Sequence, residues 1–76
     1  MESTQALTIK SAEDFGHAVK QARRRERLTQ RQLALSVGTG ERFIVNLEKG
    51  KNTAHLGKAL EVASALGLKI TATYED

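Results

Sequence analysis

The sequence predicts a compact all-α fold of four to five short helices, closed by a short C-terminal β-strand. Three observations predict it. Apolar residues recur at helical spacing in four separate stretches, with Ser11 and Thr29 as caps before the first two and Gly38, Gly50 and Gly67 after the last three. Seven residues near the C-terminus switch to strict alternation, in Leu68-Lys69-Ile70-Thr71-Ala72-Thr73-Tyr74. Proline is absent, so nothing forces a helix to break early.

In order, residues 1–10 form a polar arm whose Leu7–Lys10 portion alternates and suits a short extended piece. Ser11 can cap the first helix, and Glu13 and Asp14 favour its positive first turn. Phe15, Val19 and Ala22 make its inward stripe, and it runs to about Arg25–Arg27. Thr29 caps a second helix that ends near Val37, with Leu33, Ala34 and Val37 on one side. A third helix spans about Glu41 to Glu48, with Phe43, Ile44 and Leu47 inward and Gly50 as its stop. The fourth carries Leu56, Ala59, Leu60, Ala63 and Leu66 at 3–4 spacing, and Gly67 ends it. This divides the chain into an arm (1–10), a helical domain (11–67) and a strand-forming tail (68–76).

The second and third helices meet across a tight break at Val37-Gly38-Thr39. Ala34 falls where two crossing helices come closest, Gly38 where a left-handed turn residue is needed, and Ile44 supplies the plug from the third helix. The other side of that helix holds Glu41, Arg42, Val45, Asn46 and Lys49. A short polar helix held at a fixed angle by its predecessor is the geometry of a helix-turn-helix, whose second helix enters a DNA major groove.

Composition fits. The 76 residues make one small domain near the lower limit for a self-sufficient core, and self-association is a usual remedy. Without cysteine there is neither a disulfide nor a thiolate metal site. Twelve Lys/Arg against nine Asp/Glu give net +3 and a pI of about 9.6. Lys20, Arg23, Arg24, Arg25 and Arg27 crowd into eight positions; they suit a polyanion, or form merely a solvated helix face. No apolar run suits a membrane span and no secretion signal is visible, so a cytoplasmic protein without membrane contact is expected. Enzyme chemistry has little footing. His17 and His55 have no ligand-spaced partners, Ser36 and Ser64 no nearby histidine, and the glycines form no nucleotide loop. No metal or cofactor is expected.

The segment Leu28–Lys51 resembles the Xre family of helix-turn-helix proteins, which includes the lambdoid phage repressors and Cro. The pattern L-T-Q-x-x-L-A-x-x-x-G-x-x-x-x-x-I-x-x-x-E-x-G-K is met by Leu28, Thr29, Gln30, Leu33, Ala34, Gly38, Ile44, Glu48, Gly50 and Lys51. The resemblance extends over about residues 14–68 and implies a lambda-repressor-like domain. The added strand and arm make the chain most similar to the HipB-like antitoxins, which pair strands across a dimer and bind a toxin kinase. Three departures stand out: Thr39 replaces a common apolar residue, Gly40 replaces a Ser or Thr cap, and Val45 is apolar on the side expected to meet DNA.

The resemblance implies base reading by Gly40, Glu41, Arg42, Val45 and Asn46. Arg42 suits guanine, Asn46 adenine, Val45 a thymine methyl, and Glu41 cytosine or the exclusion of other bases. Phosphate contacts are expected from Gln30, Lys51, Asn52 and Thr53, with Arg24, Arg27 and Arg31 supplying longer-range attraction. Arg23 leans inward and, as in the family, pairs with Glu48; with Ala34, Gly38 and Ile44 these residues are structural. The tail needs a partner strand, either Leu7–Lys10 of the same chain or its copy in a second subunit. The second subunit is favoured, with Leu68, Ile70, Ala72 and Tyr74 as the dimer strand. The expected function is a homodimeric repressor of a palindromic operator, serving as antitoxin to a HipA-like kinase. Its rivals are a toxin-neutralising protein module that uses DNA little, for which Leu35 would be an anchor, and a phage-type repressor without a toxin.

Overall fold

The computed structural model describes residues 6–51 and 55–75. Four helices form: α1 (Ala12–Arg25), α2 (Gln30–Val37), α3 (Glu41–Glu48) and α4 (Leu56–Ala65). Four is the lower of the two numbers anticipated, and among the described residues there is no strand.

Local chemistry sets the boundaries. The Ser11 hydroxyl accepts from Asp14 N at 3.0 Å and starts α1. Thr29 and Gln32 form a reciprocal capping box, Thr29 Oγ1 accepting from Gln32 N and Gln32 Oε1 from Thr29 N, at 3.0 and 2.8 Å. His55 Nδ1 accepts from Lys58 N at the start of α4. α1 ends through Arg27, whose φ of 59° places a non-glycine residue in the left-handed region. That reversal lets Leu28 N donate to Arg23 O. α2 ends at Gly38, with φ 71° and ψ 39°. There Thr39 N donates back to Ala34 O at 2.9 Å, closing the turn that aims α3.

The core is shared by all four helices. Val19, Leu33, Ile44 and Val62, one from each helix, are fully buried. Burial of each contributes about 1.5–3 kcal/mol relative to exposure. Ala22, Ala34, Leu47, Ala59 and Leu66 complete the cluster, and Phe15, Leu28, Val37, Phe43 and Leu68 pack on its edge. α2 and α3 pack most closely, with α1 lying across α3 and α4 against α2. The second of these contacts is pinned by Lys58, whose Nζ donates to Val37 O, at the last residue of α2, at 3.4 Å.

One expectation needs correction, and the tail has no partner strand among the described residues. Leu56 and Leu60 do not belong to the buried stripe of α4; they are 71% and 41% exposed, and Val62 takes the inward position instead. The helix is rotated so that Ala59, Val62, Ala63 and Leu66 face α2, because small residues allow the closer approach. Leu68 stays close to the core within this chain. Its N donates to Ala63 O at 2.9 Å and its side chain packs on the core, which completes the end of α4. Beyond it, residues 69–75 are exposed, including Ile70 and Tyr74, and form no ladder with Leu7–Lys10. Leu7–Lys10 itself is irregular, anchored where Lys10 N donates to Asp14 Oδ2.

Candidate nucleic-acid interface

Ala34 is buried where α2 meets α3, and Ile44 and Leu47 are buried on the inward side of α3. With those three inside, the 3.6-residue period turns Glu41, Arg42, Val45, Asn46 and Lys49 outward. Glu41, Arg42 and Lys49 are exposed; Val45 and Asn46 are half-buried. The Asn46 side chain makes no hydrogen bond to another described residue. Gly40 begins the helix with φ −80° and ψ 154°, and no side chain caps it. Lys49 was given no role from sequence. It stands seven residues after Arg42 and therefore on the same stripe, as the helical period had placed it.

The far end of α3 is held by a buried polar cluster. Arg23 of α1 forms a two-pronged pair with Glu48, Nε donating to Oε2 at 2.6 Å and Nη2 to Oε1 at 3.0 Å. Its remaining Nη1 donates to Leu28 O at 2.8 Å. Both side chains are at least nine-tenths buried. The hydrogen bond to Glu48 raises the Arg23 pKa above its ordinary value; burial opposes this and the charge of Glu48 adds to it. A raised basic pKa means this contribution is complete below the ordinary arginine range and lost only in stronger alkali. One ion pair thus fixes the end of α1, the loop before α2 and the end of α3 relative to one another.

Gln30 joins this cluster: its Nε2 donates to Glu48 Oε1 at 3.1 Å. Its side chain is therefore anchored within the fold and half-buried. Arg24, Arg27 and Arg31 are exposed near the α1–α2 junction and form no ion pair among the described residues. Lys51 is exposed just past Gly50, which has φ 81°. Asn52 and Thr53, expected as phosphate contacts, lie outside the described residues. Sequence reasoning also missed Gly16. A Cβ there would lie 2.3 Å from Leu47 O and 2.9 Å from Glu48 O, so its absence lets α1 rest on the backbone of α3. No periodicity rule distinguishes such a glycine from an incidental one.

This arrangement, two short helices locked by a left-handed glycine with the second helix bare on one side, defines a helix-turn-helix protein of the Xre type. The helix-turn-helix family profile matches residues 19–72, and the chain belongs to that family. An uncharacterized HTH-type transcriptional regulator, y4mF of Sinorhizobium fredii (strain NBRC 101917 / NGR234), is 46% identical over 65 residues, 86% of each chain. Two solved structures share the fold. A HipA-HipB-O2-O3 complex contains a chain with TM-score 0.80 and 25% identity, covering 91% of this chain and 97% of that one. A HipB-O2 20mer complex gives TM-score 0.81 and 26% identity, with coverage of 97% and 100%. The protein is a helix-turn-helix transcriptional regulator. Among the described residues no helix is long and apolar enough to cross a membrane.

Proposed function

We propose that the protein is a homodimeric, sequence-specific repressor and the autoregulatory antitoxin of a type II toxin–antitoxin operon. The observation carrying this reading is the bare outward side of α3, where Arg42 and Asn46 are free to meet base edges. Likeness to HipB chains, one solved together with HipA, supports the antitoxin part and a HipA-like kinase as partner. The exposed, alternating tail supports dimerisation through Ile70, Ala72 and Tyr74, since an unpaired extended segment leaves backbone donors and acceptors for a second copy. A two-fold dimer would place its two α3 helices about 34–36 Å apart, or a multiple of that, on a palindromic operator. Arg24, Arg27, Arg31, Lys51 and the Gln30 region would neutralise or position phosphates, so affinity falls steeply with salt.

Binding to the protein's own promoter tests this, with wild type compared against Arg42→Ala and Asn46→Ala at two salt concentrations. Arg42→Ala costs about 1–3 kcal/mol on the cognate site and much less on unrelated duplex. Equal losses on both duplexes would remove the base-reading role.

One observation favours a second reading, a toxin-neutralising module that uses DNA little. Leu35 of α2 is 72% exposed and offers an apolar anchor, and the exposed tail offers a second surface. A wild type showing no preference for its own promoter over random duplex would favour that module. A neighbouring reading frame without a kinase would favour a phage-type repressor instead.

A further inference from the structure

We infer that Val45 and Asn46 together read a single A·T base pair, Asn46 from the adenine edge and Val45 from the thymine methyl, one helical turn beyond a guanine read by Arg42. The inference rests on the DNA-binding reading above and specifies the half-site it would take.

Val45 is the starting point. Among the outward residues of α3 it is the one apolar side chain, set between Glu41 four residues before and Lys49 four residues after, both exposed. It is not part of the buried cluster that Ile44 and Leu47 supply. Its β-branch leaves it essentially one rotamer in a helix, so its methyl groups present a fixed surface. The walls of a major groove display hydrogen-bond donors and acceptors at every base pair except for one apolar group, the C5 methyl of thymine. An apolar side chain fixed on the groove-facing side therefore has one complementary partner.

Asn46 supplies the other half. Its amide carries both donor and acceptor, which match adenine N6 and N7, and it is committed to no other described residue. Adenine N7 and N6 and the thymine methyl lie along one groove edge of the same pair. Consecutive residues at the groove-facing border of a helix can reach both. Arg42 lies four residues earlier, about 6 Å along the axis. A helix lying along the groove therefore presents Arg42 to a neighbouring base pair rather than to the one read by Asn46. Its guanidinium is exposed, unpaired among the described residues, and suited to guanine O6 and N7. Each half-site is thus expected to present a G·C pair near an A·T pair.

Atomic substitutions in the DNA test this without disturbing the protein. The first arm selects binding duplexes from a randomised pool. The second replaces each thymine of the selected half-site by deoxyuridine, which deletes only the methyl group, or each adenine by 7-deazaadenine, which deletes only the N7 acceptor. One deoxyuridine position should weaken wild-type binding about fourfold, the worth of one buried methyl-sized group. The 7-deazaadenine that weakens binding should fall in the same base pair. Val45→Ala should bind the thymine and deoxyuridine duplexes equally, and Asn46→Ala should become blind to 7-deazaadenine. Melting curves confirm that both variants fold; the wild-type arm decides the matter even if one does not. A selected site at which no deoxyuridine weakens binding, or at which the two sensitive positions lie in different pairs, overturns the inference and leaves the DNA-binding function intact. A pool from which nothing is enriched overturns both.

Discussion

Replacing Gly16 by alanine isolates the contact that seats α3 against α1. Taken as an isolated helix position, the change should help, because alanine is favoured over glycine by about 1 kcal/mol in a helix interior. The tertiary contact reverses the sign. The new Cβ would stand 2.3 Å from Leu47 O and 2.9 Å from Glu48 O. Carbon and carbonyl oxygen settle at about 3.3–3.6 Å. Relief therefore requires α1 and α3 to separate by about 1 Å, and both obstacles are backbone, which cannot swing aside. Overpacking of this kind costs about 1–3 kcal/mol, and unyielding backbone argues for the upper end. The net loss is about 2 kcal/mol, or a melting temperature lower by roughly 8–16 °C in a domain of this size. Gly57 provides the internal control: it lies in α4, where a Cβ meets only the exposed His55 ring, at 3.2 Å. Gly57→Ala should change the melting temperature far less than Gly16→Ala, because the atom met belongs to an exposed ring that can shift and not to backbone. Thermal melts of both variants by circular dichroism decide it. A Gly16→Ala protein at least as stable as wild type would refute the idea that α1 bears on the α3 backbone.

Two more expectations follow from the same geometry. Glu48→Ala strands the buried Arg23 guanidinium and frees the Gln30 amide, so it should cost about 3–5 kcal/mol by denaturant titration. The double replacement Arg23→Met/Glu48→Leu should recover most of that loss, and a double variant as unstable as the single one would contradict the assignment of the penalty to an unpaired charge. Gly40→Ser should raise stability by up to about 1 kcal/mol, because φ −80° suits any residue, a Cβ there meets nothing within 4 Å, and a hydroxyl supplies the missing cap. If Gly40 also lies against the operator, the same variant will bind its promoter more weakly despite melting higher; unchanged affinity would remove Gly40 from the contact surface.

The amino-acid sequence by itself determined the helix-turn-helix. Thr29, Gly38, Gly50 and Gly67 act through short-range hydrogen bonding and backbone conformation, and the inward stripes of α2 and α3 follow from helical period. The outward side of α3 was legible for the same reason: fixing Ile44 and Leu47 inside leaves Arg42 and Asn46 outside. Tertiary structure decided the rest, since it depends on how closely two backbones approach. Leu56 and Leu60 have the right spacing for a core but sit outside, because Ala59 and Ala63 let α4 lie nearer to α2 than leucines would. Gly16 carries no local signal, yet it lets α1 rest on the carbonyls of Leu47 and Glu48. Gln30 read as a phosphate contact, and a hydrogen bond across eighteen positions ties it to Glu48. Local conformation is written in neighbouring residues; proximity between helices is settled only when all four are packed.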